Sequence, residues 1–575
     1  MATVAVPRAE SARASRRFST GTVLSTVLLA AIAFIVLYPI VRVVLQSFEV
    51  STPGQATTFG LDAWATLFHE QGLRTAAWNT VSLSAWREAI ALPGAIFLAW
   101  LLARTNLPGR NWFEFAFWLS FFMPTLTVVL SWILLLDPEY GLINQGLLRL
   151  GIPAFSIYSF WGIVWAHTIA HGISFKVMLF TPIFRNMNAA FEEASRVTGA
   201  SALGTVARIV LPIMLPAILA VEFLSFIRSL ESFEIERILG TPMGFFVFST
   251  IIYDEVIQSE PRYGPAAALG VTALVIMISL IVLQRKLIGN RRYTTLTGQY
   301  QSQVMQLGKW RWPAVALISA VLFLVVAVPL VFSIMGTFMK IFGFFTIQDP
   351  WTFNNWNRAL RDPLLLRSFQ NTLLLAFGTS IVGVLVHSLI AYVVIRTRFF
   401  GRNALDLLSW LPYTIPGILL SLALLSMFLQ PFFRPLYGSI PSLIIAGLIS
   451  GMPLAVQILK SNLMQLGNEL EEASWVTGGN WIHTYFRVVL PLMASSLIVI
   501  ALIQFIGAAR NISQVAMLSV SSNRPLSMLQ LDYITEGKFE VASVLSCCVL
   551  ILTLGVAVAA RSFGLRLGVG GEHRS

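Results

Sequence analysis

One stretch of the chain occurs twice. It reads EEASRVTGASALGTVARIVLP from Glu192 to Pro212 and EEASWVTGGNWIHTYFRVVLP from Glu471 to Pro491. The copies stand in register without a gap, at an offset of 279 residues at both ends (471 − 192 and 491 − 212). More than half of their positions are identical. Self-similarity at so long a period marks two duplicated halves, each the size of a domain, and not a solenoid of small units. Each copy sits in a polar break between strongly apolar segments, so whatever the chain does is organised pseudosymmetrically.

The medium follows from composition. Of 575 residues, 56% are hydrophobic and 11% charged, against roughly 25% charged in a soluble domain, and the mean hydropathy is +0.75. That excludes an ordinary water-soluble protein. A net charge of +12 raises nucleic acid as a partner, but the basic residues fall mainly in short breaks between apolar runs, as cytoplasmic membrane loops require. No nucleic acid is therefore expected. The only cysteines, Cys547 and Cys548, are adjacent within an apolar run and suit neither a disulfide framework nor a metal cluster.

Arg8, Arg13, Arg16 and Arg17 precede an apolar run from Val23 to Leu45. A cleaved or twin-arginine signal has this beginning. The run is about 20 residues long, enough to span a bilayer, and no small-residue cleavage site closes it, so it reads as the first membrane helix. Further spans are expected over 79–102, 112–136, 159–183, 206–227 and 266–283, then 314–335, 372–395, 405–429, 439–459, 488–507 and 543–560. That gives an all-α polytopic membrane protein of about twelve spans, six in each half. The expected division is a cytoplasmic N-terminal segment 1–21, a first half 22–286 with its core at 79–283, a linker 287–311, a second half 312–562 with its core at 367–560, and a tail 563–575.

Basic residues fix the expected orientation. With the N-terminus inside, the even-numbered breaks are cytoplasmic and hold Arg104 and Arg110, then Arg185, Arg196 and Arg208, then the linker's Arg285 to Arg311. The same parity places Arg396, Arg398, Arg402, Lys460, Arg487 and Arg561 inside. The opposite breaks are poor in Lys and Arg and carry Asp62, Glu70, Asp137 and Glu139. Both copies of the repeat then face the cytoplasm, each between the fourth and fifth spans of its half, and both termini are cytoplasmic.

The repeat has the makings of a docking element. Its paired glutamates suit the positive end of a short helix, its Ala-Ser keeps the next turn slim, Gly199 or Gly478 permits a sharp exit, and Leu-Pro opens the next membrane helix. The spacing Glu-Ala-Ala, three residues, Gly, nine residues, Ile, any residue, Leu-Pro resembles the EAA loop of binding-protein-dependent ABC importer permeases. Here it stands as Glu193-Ala194-Ser195, Gly199, Ile209 and Leu211-Pro212, then as Glu472-Ala473-Ser474, Gly478, Val488 and Leu490-Pro491. Ser replaces the second Ala in both copies, and Val488 replaces Ile. The resemblance covers nearly the whole chain and is to the fused, two-half permeases of the ferric-iron transport type.

That resemblance implies a type I importer fold in the bacterial inner membrane, with Glu193, Ala194, Ser195, Gly199, Glu472, Ala473, Ser474 and Gly478 forming two coupling helices that seat in ATPase subunits. It also implies alternating access between the halves. The chain holds no phosphate-binding Gly-x-x-x-x-Gly-Lys-Ser/Thr loop. No cofactor and no enzymatic activity are expected in this chain: ATP and Mg belong to two copies of a separate ATPase, and ligand capture belongs to an extracytoplasmic solute-binding protein. The paired glutamates lie in separate repeats and do not flank one bond as a glycosidase's carboxylates must. Ferric iron or a ferric chelate is the expected substrate, with a phosphonate, a phosphorylated sugar or a polyamine as alternatives. Two other classes fit less of the sequence: an ion-gradient-driven secondary transporter, which needs no coupling loop, and a membrane-embedded enzyme, for which the spans offer no nucleophile or metal constellation.

Charges inside spans mark candidate path residues. Glu222 and Arg228 lie in the fifth span, which runs into Glu231, Glu234 and Glu236. At the repeat offset Glu231 corresponds to Arg510 and Ser232 to Asn511, so equivalent positions carry opposite charge. Arg228, Glu231, Arg510 and Asn511 are the candidates for the translocation path or its outer gate; helix-end salt bridges at the interface are the alternative. His167 and His171, four apart on one span, read as polar lining or interhelical hydrogen bonding, and no metal site is assigned. Arg87 and Glu88 are adjacent and so should not face each other; partners on neighbouring helices are expected. Trp and Phe near span ends read as interfacial anchors.

Overall fold

The computed structural model describes residues 20–50, 58–69, 71–185, 187, 195, 199, 202–288 and 305–562. Most of the expected linker, the first nineteen residues and the tail from 563 lie outside them. Among the described residues, nine helices are long and apolar enough to cross a membrane, and twelve are reached when each of three bent helix pairs is taken as one span. All twelve coincide with the expected apolar runs. The first half has Gly21–Gln46, Gly72–Arg104, the pair Arg110–Phe122 and Thr125–Leu136, Phe160–Arg185, Val206–Leu230 and Tyr263–Gln284. The second has Gly308–Thr337, Pro363–Arg396, the pair Arg402–Thr414 and Gly417–Phe428, Ile440–Gln465, the pair Trp481–Leu492 and Ala494–Arg510, and Phe539–Ser562. The remaining regular structure is minor, including a two-residue hairpin pairing Glu49 with Phe59.

The bent pairs correct the expectation of straight spans over 112–136, 405–429 and 488–507. The first two bend by 94° and 112°, each at a proline. Proline's ring pushes the preceding residue out of the helical region, and Met123 (φ −64°, ψ 139°) and Ile415 (φ −103°, ψ 117°) are both extended. The halves therefore break their third spans at the same place. The third bend, 79° at Met493, belongs to the second half alone, since its counterpart Val206–Leu230 runs on.

The first span of each half is exchanged with the other half. Helix Thr20–Gln46 packs on Arg402–Trp410 and Gly417–Phe428, where Leu28, Ile32 and Val36 share a core with Ile390, Leu405 and Leu408. Reciprocally, Val328–Thr337 packs on Thr125–Leu136, and Ser131 Oγ donates to Pro329 O at 2.8 Å. Lipid is as apolar as leucine, so such contacts hold by close packing and interhelical hydrogen bonds more than by exclusion from water. The exchange ties the halves into one body around a shared interface.

Candidate functional site

Two structures recur in both halves: the repeat itself and the broken third span. In the second copy a short helix, Glu469–Val476, presents Glu471 and Ser474 inward and leaves Glu472 and Ala473 exposed, as a three-residue spacing on a helix requires. Ser474 Oγ lies 2.9 Å from Thr484 Oγ1. In the first copy Ser195 Oγ lies 2.8 Å from Thr205 Oγ1, at the equivalent positions. The serine that replaces the motif's second alanine thus fastens the short helix to the start of the next span. Gly199 and Gly478 have φ of +80° and +88°, the left-handed conformation that ends a helix and that glycine adopts without penalty. Each element then enters its span through a π-helical turn at equivalent positions, Val206–Val210 and Tyr485–Val489, ahead of Leu-Pro. Glu193 and Ala194 lie outside the described residues.

The chain just ahead of each copy, and in the second half the copy itself, is tied to the last residue of that half's second span. Arg104, fully buried, donates to Met187 O at 3.2 Å; Arg396 donates to Leu466 O at 2.6 Å and Leu463 O at 2.8 Å. Met187 and Leu466 are equivalent by the repeat offset. Arg396 Nε is also 3.0 Å from Glu471 Oε1, and Tyr392 donates to Glu471 Oε2 at 3.3 Å. Burial pushes the Glu471 carboxyl above the usual carboxylate range, and Arg396 and the Tyr392 hydroxyl pull it back. Leu470, Trp475 and Val476 of the same helix are also exposed, the last by 89%.

Between the halves lie two adjoining cavities of about 320 and 250 Å³. All four path candidates line them: Arg228 and Arg510 line both, Glu231 the smaller and Asn511 the larger. The residues common to both walls are polar without exception: Thr125, His171, Arg228, Glu234, Arg510, Ser513 and Gln514. The candidates are not paired with one another as helix-end salt bridges. Arg228 Nε donates to Tyr413 Oη at 2.9 Å, Glu231 Oε2 accepts from Gly417 N–H at 3.2 Å, and Arg510 Nη1 donates to Phe121 O and, at 3.1 Å, to Met123 O.

A family model described as "binding-protein-dependent transport system inner membrane component" matches residues 91–294 and 381–567, once in each half. The chain belongs to this family. Among its relatives, a probable ABC transporter permease, y4fN, of Sinorhizobium fredii is 26% identical over 522 residues, covering 88% of this chain and 90% of the relative. The ferric transport system permease FbpB of Actinobacillus pleuropneumoniae is 25% identical over 558 residues, covering 94% of this chain and 77% of the relative. One solved chain, from a bacterial ABC transporter that imports the polysaccharide alginate, overlays 48% of this chain with TM-score 0.41 at 23% identity. By the two family matches and the twelve spans, this chain is an importer permease with two six-span halves.

Reading charges along the sequence missed one of the permease's most buried ones. Lys176, 1% exposed, forms an ion pair with Glu88, donates to Ser225 Oγ at 2.7 Å and lies 3.8 Å from Glu222. A lone lysine in an apolar span was the available signal. The expectation for Glu88 holds, since its partner is on a neighbouring helix; that for Arg87 does not, since Arg87 Nε approaches Glu88 Oε1 to 3.6 Å. His167 Nε2 lies 2.7 Å from Glu236 Oε1, a carboxylate remote in sequence, and His171 Nε2 lies 3.2 Å from Thr125 Oγ1. No group of three or more metal-binding side chains occurs among the described residues. In the second half, Ala455, Ala501 and Gln504 stand where the first has Lys176, Glu222 and Ser225, and Ala455 and Gln504 line the larger cavity. Lys176→Met takes from buried Glu88 its nearer cationic partner, leaving it Arg87 at 3.6 Å, and takes from half-buried Glu222 its partner at 3.8 Å, an effect of about 3 kcal/mol. The expected result is a sharp loss of folded permease in detergent, partly recovered by adding Glu88→Gln, as read by size-exclusion yield and melting temperature.

Proposed function

We propose that this permease forms the translocation path of an ATP-driven importer and is moved by two separate ATPase subunits, one docked on each copy of the repeat. The observation that carries the proposal is helix Glu469–Val476, where Leu470, Glu472, Ala473, Trp475 and Val476 stand exposed while Glu471 and Ser474 hold the helix to the body. Exposed apolar side chains beside the outward-facing Glu472 and Ala473 suit a protein-binding surface, and a partner seated there pushes on the span behind the helix. Glu472 and Ala473 face the ATPase in this reading, with Glu193 and Ala194 as their counterparts; Ser195, Ser474, Gly199 and Gly478 set the shape of the coupling helices. ATPase closure draws the two elements together, and the halves reopen on the other side of the membrane. Both termini and the linker 287–311 face the cytoplasm of a bacterial inner membrane, a solute-binding protein docks on the opposite side, and ATP and Mg are bound by the partner ATPase alone. Arg228, Glu231, Arg510 and Asn511 belong to the path wall.

The substrate assigned is ferric iron or a ferric chelate, on the strength of likeness over 94% of this chain to a relative named for ferric transport. Relatives named for sulfate or for molybdate and tungstate align with 36% and 40% of this chain. Vesicles containing the permease, its ATPase and its binding protein are expected to accumulate labelled ferric iron only with ATP and the binding protein. Stimulation of ATPase activity by the binding protein loaded with sulfate, a phosphonate or a polyamine, without iron uptake, reassigns the substrate. Uptake indifferent to ATP and to the binding protein returns the chain to the gradient-driven class.

A further inference from the structure

The repeat places an acid, Glu231, and a base, Arg510, at equivalent positions. Each sits at the end of its own half's membrane helix, Leu211–Leu230 or Ala494–Arg510, and each reaches to the broken third span of the other half. A break leaves helix ends without intrahelical partners: carbonyls on the incoming segment and N–H groups on the outgoing one. Glu231 accepts from the N–H of Gly417, the first residue of helix Gly417–Phe428, at that helix's positive pole. Arg510 donates to the carbonyls of Phe121 and Met123, at the negative pole of helix Arg110–Phe122. A carboxylate suits the first pole and a guanidinium the second. Opposite charges occupy equivalent positions because each meets the opposite end of a helix.

An arginine stacked over an aromatic ring reinforces each contact. Arg228, one turn before Glu231, lies 4.7 Å from the ring centroid of Tyr413 at the second-half break. Arg510 itself lies 5.1 Å from that of Phe121 at the first-half break. Glu231, Gly417, Phe121 and Arg510 all line the smaller cavity, and Arg510 also lines the larger. The contacts therefore lie on the wall of the smaller cavity, and Arg510 reaches the larger one as well.

We infer that Glu231 and Arg510 are positioning residues, reciprocal helix caps through which each half holds the other's broken span closed across the path, and that transport requires both caps to release. The inference rests on the importer reading above, and its test separates the two. In vesicles with ATPase and binding protein, Glu231→Gln and Arg510→Gln are expected to raise ATPase activity without binding protein ~5-fold or more, a typical coupling between sites, and to lower the iron taken up per ATP hydrolysed. Glu231→Asp keeps the charge one methylene short and is expected to fall between. The exchange Glu231→Arg with Arg510→Glu sets like against like at both poles and is expected to be worse than either single neutral variant. In the unaltered complex, amide exchange in the segment Gly417–Leu420 is expected to quicken when a non-hydrolysable ATP analogue closes the ATPases; this readout does not depend on any variant folding. Wild-type basal ATPase in both neutral variants, wild-type behaviour in the charge exchange, or amide exchange unmoved by nucleotide each overturns the caps. Absence of ATP-dependent uptake by the unaltered complex overturns the importer reading instead.

Discussion

Arg396→Met is expected to abolish ATP-driven uptake while both halves of the permease remain assembled. The guanidinium holds two carbonyls, Leu463 O and Leu466 O, and the carboxylate of Glu471. The Arg396 and Glu471 side chains are 10% and 7% exposed. Methionine fills similar volume but leaves a buried carboxylate without its partner, and breaking a buried pair in this way costs about 3–5 kcal/mol. Every 1.4 kcal/mol is about tenfold in population, so detachment of the short helix from the end of the second span becomes about 100-fold or more commoner. Arg396→Lys keeps the charge but loses the planar fork that serves three acceptors, and is expected to retain only part of the activity. Adding Glu471→Gln to Arg396→Met removes the stranded charge and is expected to recover stability more than transport. Uptake and melting temperature measured on the same preparations separate these effects. Arg396→Met at wild-type uptake would show that the anchor carries no force.

Gly478→Val is expected to reduce uptake by more than about tenfold, and Gly199→Val to act similarly. Among the described residues no atom lies within 4 Å of where a Cβ would stand at either position, so crowding by them is not the reason. The cost is conformational: with φ near +80° or +88°, an ordinary residue pays roughly 1–2 kcal/mol, and a β-branched one more. Glycine here lets the helix end with Gly479 N–H bonded to Ser474 O at 2.8 Å, which aims the chain at Thr484. Asparagine tolerates the left-handed region, so Gly478→Asn is expected to stay near wild type. Equal losses for Val and Asn, in vesicle uptake with the complex intact, would point to a contact with the ATPase at this position in place of a turn.

The parts of this architecture written in local sequence were legible there. Twelve apolar runs gave twelve spans, and the repeat located the short helix of the second half and the left-handed glycine of both copies, because apolar length and glycine's backbone freedom act over a few residues. The bends were not legible. Pro124 and Pro416 break their spans, yet Pro39, Pro93, Pro182, Pro216 and Pro453 sit inside continuous helices, so proline marks where a helix is weak and tertiary packing decides whether it turns. The pairing of Glu231 and Arg510 by repeat offset placed both at the interface between halves, but their partners are backbone groups on the opposite half, exposed only by those bends. Lys176 and Glu236 were passed over for the same reason, since their partners Glu88 and His167 are distant in the chain.

The central claim is that one chain carries both coupling elements, and the direct measurement is the mass of the purified, intact complex by native mass spectrometry. One permease with two ATPase subunits is the predicted composition, falling to one permease with one ATPase when Leu470, Trp475 and Val476 are replaced together by charged residues. A stable, transport-competent complex holding a single ATPase per unaltered permease would contradict it.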